Sequence, residues 1–151
     1  MSPSEHIRKS YNVFLLLYHL ECSTKYRRFV LSPKVDRILK QSCLSIEDRY
    51  EIQFIEIESD KNHVHFLLQS VPTYSPSKIA RTIKSITDRE IFSQAPGVKR
   101  ALWGGCFWGS GFYINTVGQY ANEEIIANYV KNQGKEEEYK SLYKTKQLRF
   151  F

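Results

Sequence analysis

The run Asp60-Lys61-Asn62-His63-Val64-His65-Phe66-Leu67-Leu68-Gln69-Ser70 carries the side chains with the widest chemical reach in this sequence. Asp60 to Asn62 reads as a turn. Beyond it, strand side chains alternate faces, so His63 and His65 point to one side while Val64 and Phe66 point to the other. Two imidazoles spaced in this way on a rigid strand can share one divalent ion, leaving positions for a third ligand and a substrate oxygen. Half-exposed histidines on a solvated sheet face show the same short pattern, so the motif needs a partner elsewhere. Tyr129 and Gln133 supply one, because with Ile125 they are spaced i, i+4, i+8 along one helix face. A phenol can serve as a nucleophile, and a carboxamide oxygen can be a third, neutral ligand to a hard cation. Tyr129 alone would pass for a half-buried core aromatic. Tyr120 is the rival nucleophile, but it precedes Asn122 and so stands before or at the helix start, with no partner one turn on.

Cations gather in two further places. Thr24-Lys25-Tyr26-Arg27-Arg28 sets Lys25, Arg27 and Arg28 around one aromatic, the make-up of a surface that neutralises phosphates and stacks on a base, or of an ordinary solvated loop. Between Ser77 and Phe92, Lys78, Arg81, Lys84 and Arg89 fall largely opposite an apolar stripe, giving a basic helix face. The whole chain has 22 Lys and Arg against 16 Asp and Glu, a net charge of +6 that favours a polyanion such as nucleic acid. With 42% hydrophobic and 14% aromatic residues, it is not a disordered chain. Its 151 residues suit one domain better than two. Cys22, Cys43 and Cys106 stand in no metal spacing, and no signal segment opens the chain, so a reducing, cytoplasmic setting is expected. The longest apolar run, Val13 to Leu20, is far short of the roughly 20 residues that a membrane span needs.

These side chains need elements to position them. Residues 1–9 read as a loose arm, and Tyr11 to Glu21 as a strand buried on both faces in the middle of a sheet. Ser32-Pro33 begins a helix to about Leu44. Tyr50 to Glu58 alternates as a second strand with one slip at Phe54-Ile55, and the turn after it makes an antiparallel hairpin with the His63 strand. Ser75-Pro76 starts another helix, which Ala95-Pro96-Gly97 ends. The glycine- and aromatic-rich segment from Leu102 to Ile114 reads as one or two short strands joined by a bulge or turn. Asn115 to Ala121 reads as a polar linker. Asn122 then caps a helix ending before Gly134, and residues 135–146 form a marginal tail helix.

Together these residues resemble the single-tyrosine HUH transposases of the IS200/IS605 insertion sequences. The resemblance rests on Tyr18-His19-Leu20, Lys25-Tyr26-Arg27-Arg28, His63-Val64-His65, the segment Trp103-Gly104 to Tyr113, Val117-Gly118, and Tyr129-Val130-Lys131-Asn132-Gln133, in the family's order. It implies an α+β fold, a ferredoxin-like or RNA-recognition-like antiparallel sheet with helices packed against it. It also implies a homodimer acting on single-stranded DNA with imperfect hairpins, its active sites shared in trans, with no membrane partner. Tyr129 would form a covalent 5′-phosphotyrosine, and His63 and His65 with Gln133 would hold Mg²⁺ or Mn²⁺. A domesticated nickase of repeated palindromic elements and a non-catalytic nucleic-acid binder are the alternatives.

Overall fold

Two helices begin at Ser-Pro pairs, and the caps work as the sequence suggests. The side chain of Ser32 accepts from Val35 N at 3.2 Å, and that of Ser75 from Lys78 N at 3.0 Å, each with proline in the first turn. The computed structural model describes residues 7–9, 12–14 and 16–117. In chain order it has β1 (Ile7–Lys9), β2 (Asn12–Phe14), β3 (Leu16–Ser23), one 3₁₀ turn (Lys25–Arg27), α1 (Pro33–Arg49), β4 (Gln53–Ser59), β5 (His63–Ser70), α2 (Pro76–Gln94), α3 (Pro96–Ala101) and β6 (Tyr113–Val117). The main sheet is four-stranded in the order β4-β5-β3-β6, and every neighbouring pair is antiparallel. From β3 onward this is the β-α-β-β-α-β arrangement of a ferredoxin-like α+β fold, with α3 added after α2.

Alternation divides the sheet into two faces. Tyr18, Leu20, Cys22, Phe54, Ile57, Val64, Phe66 and Leu68 point to one side and join Ile38, Leu39, Ile46, Ile79, Ile83 and Ile86 of α1 and α2 in the main core. The opposite face carries Glu21, His63 and His65, with a smaller apolar cluster of Leu17, Ile55 and Leu67. The slip at Phe54-Ile55 is a register shift between Phe54 and Glu56, which lets Phe54 and Ile57 both reach the core. Buried Asp36 of α1 accepts a short hydrogen bond from the Ser59 hydroxyl and an ion pair from Lys40 at 3.1 Å, tying the end of β4 to the helix.

Several boundaries differ from the sequence reading. The apolar run 11–21 is shared between β2, which pairs with β1, and β3, whose burial alternates instead of covering both faces. The arm 1–9 thus contains a strand. Helix α1 continues to Arg49 because Ile46 prolongs the buried stripe, and its last turn closes with Tyr50 N on Ile46 O at 2.9 Å. Strand β4 begins only at Gln53 as a result. Helix α3 was not expected; Pro96 fills its first position, where a missing N–H costs nothing. Asn115 to Val117 belong to β6, polar because this outer strand is largely exposed, so the linker reading fails for them. The capped helix from Asn122 and the tail helix lie outside the described residues.

Truncating fully buried Phe66 to Ala should cost about 3–5 kcal/mol in urea unfolding, whereas Tyr113→Ala on exposed β6 should stay within about 0.5 kcal/mol. Equal costs would contradict the assignment of core and open surface.

Candidate metal and nucleic-acid site

Strand β5 turns His63 and His65 to the same side, with ring centroids 5.1 Å apart and planes at 85°. Glu21 on β3 stands opposite His65 in the antiparallel register, and its Oε2 lies 3.8 Å from His65 Nδ1. One donor atom from each of Glu21, His63 and His65 falls within 4.8 Å of the others. An octahedral ion with bonds of about 2.1 Å holds adjacent donors about 3 Å apart and opposite donors about 4.2 Å apart, so small side-chain rotations suffice to close these ligands on one ion. Two imidazoles and a carboxylate form a mixed nitrogen and oxygen donor set suited to a divalent cation.

Neighbouring side chains orient the donors. His63 Nδ1 lies 2.9 Å from Asn62 Oδ1, an atom that can only accept, so Nδ1 is the donor and Nε2 is the nitrogen turned away from this bond. Asn62 is itself turned by donating Nδ2–H to Arg27 O at 3.4 Å. His19 stacks on His65 with centroids 5.2 Å apart and planes within 8°, and its Nε2 lies 3.0 Å from His65 Nδ1. With the proton on His65 Nδ1, that ring also offers Nε2 to a cation, an outer hydrogen bond of the kind that orients metal-ligating histidines. Burial pushes the His65 pKa below its ordinary value; Glu21 pulls it up, His19 and His63 push it down further, and Asp60 pulls weakly upward. The net result favours the neutral, ligand-competent imidazole.

The cationic residues occupy different settings. Lys25 and Arg27 form the 3₁₀ turn after β3 and Arg28 caps it, and the β4–β5 turn is bonded to this segment through Thr24 N on Asn62 O, Asn62 Nδ2 on Arg27 O and Leu31 N on Lys61 O. On α2, Lys78 Nζ sits 4.2 Å from the Tyr74 ring centroid and Arg81 is exposed. Lys84 Nζ donates to Gly109 O at 2.8 Å and Gly111 O at 3.2 Å, so its ammonium fastens the aromatic segment. Lys25, Arg81, Lys84 and Arg89 nonetheless line one cleft of about 650 Å³. Tyr129, Gln133 and Tyr120 lie outside the described residues. The sequence reading did not single out Glu21 or the ring contact of His19. Each is two residues from the next same-face side chain on β3, but only the register against β5 shows that they meet His65.

Fold and site together define a ferredoxin-like α+β protein with a paired-histidine and carboxylate cluster on the sheet face away from the helices. The family described as "Transposase IS200 like" matches residues 12–133, and the chain belongs to that family of DNA endonucleases and strand transferases. It is 31% identical over 121 residues to the ISDra2 transposase TnpA of Deinococcus radiodurans, covering 80% of this chain and 86% of that one. It is 27% identical over 120 residues to the transposase for insertion sequence element IS200 of Salmonella typhimurium, covering 80% and 78%. A solved transposase structure from Deinococcus radiodurans superposes with a TM-score of 0.68 at 29% identity, over 84% of this chain and 97% of that chain. A REP-associated tyrosine transposase bound to a REP hairpin shares the fold, with a TM-score of 0.50 at 13% identity over 84% and 69%. No helix among the described residues is long and apolar enough to cross a membrane.

The depressed His65 pKa has a thermodynamic consequence. The unfolded chain takes up a proton near the ordinary value of 6.5, while the folded chain resists until lower pH, so stability is present above 6.5 and is lost as pH falls toward the folded value. Thermal melts of metal-free protein should therefore fall between about pH 7 and pH 5, and more shallowly in His65→Gln. An identical slope in the variant would contradict this assignment.

Proposed function

We propose that this chain is a single-domain, metal-dependent transposase of single-stranded DNA that cleaves and rejoins strands at subterminal hairpins through a covalent 5′-phosphotyrosine on Tyr129. The observation that carries this reading is the convergence of Glu21, His63 and His65 within 4.8 Å in a chain whose family match runs through Tyr129 and ends at Gln133. His63 and His65, with Gln133 as a further oxygen ligand, would hold Mg²⁺ or Mn²⁺. Such an ion supplies Lewis acidity to a non-bridging phosphate oxygen and to the departing 3′-oxygen.

The protein's own groups do the rest. Tyr129 Oη would lose its proton to water and bond to phosphorus, the bond from phosphorus to O3′ would break with its electron pair on oxygen, and that oxygen would take a proton from water to become a hydroxyl. The 5′-phosphate stays on the phenol as a diester. The 3′-hydroxyl of a second strand then bonds to phosphorus, transfers its proton, and expels the Tyr129 phenolate. One phosphodiester is exchanged for another, so no nucleotide cofactor is consumed. Asn62 and His19 would keep the two imidazoles oriented while this happens, and Lys25, Arg27 and Arg28 lie where they could neutralise the phosphates of the incoming strand.

Tyr129→Phe should bind hairpin DNA but lose the denaturation-resistant protein–DNA adduct, and His63→Ala or His65→Ala should lose cleavage in limiting Mn²⁺ far more than hairpin binding. Adduct formation by Tyr129→Phe at the native rate would sink the nucleophile assignment, and normal cleavage by the histidine variants would sink the metal role.

The active site is further proposed to be shared between two chains, Tyr129 of one meeting His63 and His65 of the other. Mixing Tyr129→Phe with a His63→Ala/His65→Ala chain then builds one intact composite site per heterodimer. Recovered cleavage is the expected outcome. No recovery despite demonstrated heterodimers would place each site within one chain.

A further inference from the structure

An exposed aromatic surface stands beside the cation site and has no role in the chemistry above. Tyr26 is 61% exposed, Phe29 73% and Trp103 72%, large values for residues of this size. They come from separate segments, yet the Tyr26 and Trp103 rings lie 5.5 Å apart with planes tilted by 51°. Cations are interleaved with them. The Arg28 guanidinium sits 4.7 Å from the Trp103 centroid, Lys25 Nζ 5.6 Å from that of Tyr26, and Lys61 Nζ 5.8 Å from that of Phe29.

The backbone holds this arrangement under strain. Tyr26, Arg27 and Trp103 all have positive φ, at 58°, 52° and 56°, a region that bulky side chains rarely enter. Gly104 then takes φ 74° and completes the turn that lifts Trp103 outward. Strain of this kind persists where surrounding bonds fix it, and here they do: Lys25 N donates to Phe107 O at 2.8 Å, Thr24 N to Asn62 O at 2.9 Å, and Gly104 N to Lys99 O at 2.8 Å. A groove of about 570 Å³ runs from Glu21 at the cation site past Ser23 and Thr24 to Tyr26 and Arg27, walled by Gly109 to Tyr113.

We propose that Trp103 and Tyr26 form a stacking platform for an unpaired nucleobase of the DNA strand, at the Tyr26 end of the groove whose other end carries Glu21. Interleaved cations complement the phosphates on either side of the stacked base, and a π-face accepts any base, so the platform selects single strands over duplexes rather than one sequence over another. The proposal rests on the transposase reading and is tested apart from cleavage.

The probe is oligothymidine, which forms no hairpin, titrated into the full chain in EDTA. Affinities are read from the anisotropy of a dye-labelled strand, and in the native chain and Tyr26→Ala the quenching of Trp103 is a second signal, since Trp108 is buried with its Nε1 donating to Thr87 Oγ1 at 2.9 Å. Trp103→Ala should bind about tenfold more weakly with an unchanged salt slope, while Trp103→Phe keeps most of the affinity. An abasic strand of equal length should bind the native chain and Trp103→Ala alike. Native-strength binding of oligothymidine by both Trp103→Ala and Tyr26→Ala, an equal loss on the abasic strand, or failure of the native chain to bind oligothymidine would overturn the platform. Formation of the Tyr129 adduct on hairpin DNA in Mn²⁺ reads the transposase proposal separately.

Discussion

The register of β3 against β5 is the constraint on which both core and site depend. Leu20 faces Phe66 and Glu21 faces His65, so at this end of the two strands one side is hydrocarbon and the other carries polar side chains that can donate to a cation. A slip of one residue in β3 would send Glu21 toward the helices and expose Leu20, and the same slip in β5 would do so for the histidines and Phe66. Burial of Phe66, Val64, Leu20 and Cys22 therefore selects the register that assembles the donors. The hydrophobic effect places them even though they contribute little to it.

The ferredoxin-like order explains why the site lies at one end of the central strands. Strands β3 and β5 are flanked by β6 and β4, so their pairing is protected on both sides, and α1 and α2 cover a single face. Among the described residues, no helix covers the other face. The aromatic segment is drawn to the end of β3 by Trp108, which bridges to Thr24 and donates to Thr87, by Asp88 Oδ1 accepting from Phe107 N at 3.2 Å, and by Lys84 on the glycine carbonyls. Lys84 thus shows how a cation on a basic helix face can be engaged by its own protein.

Much of this was legible in the sequence because its signals are local. Alternation around Val64 and Phe66, the Ser-Pro helix starts, the short turn at 60–62 and the slip at Phe54-Ile55 each act over a few residues. What escaped depends on distant pairing. Glu21 reads as the end of an apolar strand until β5 lies beside it, and Trp103 reads as another aromatic in a glycine-rich stretch until its turn brings it to Tyr26. Helix α3 escaped for a different reason: Pro96-Gly97 is a strong breaker, and it is also a permissible first turn for a six-residue helix.

Asn62 links the two halves of the surface. Its carbonyl receives Thr24 N and a 3.2 Å bond from Thr24 Oγ1, its amide nitrogen donates to Arg27 O, and its amide oxygen accepts from His63. One side chain therefore joins the Lys25–Arg28 turn to the ring of His63. The 2.9 Å contact with His63 is the firmer of its two side-chain bonds, and the 3.4 Å bond to Arg27 O is the one that yields first if the turn moves. The β4–β5 turn, rather than either histidine alone, thus fixes where the Lys25–Arg28 turn stands relative to the His63 ring.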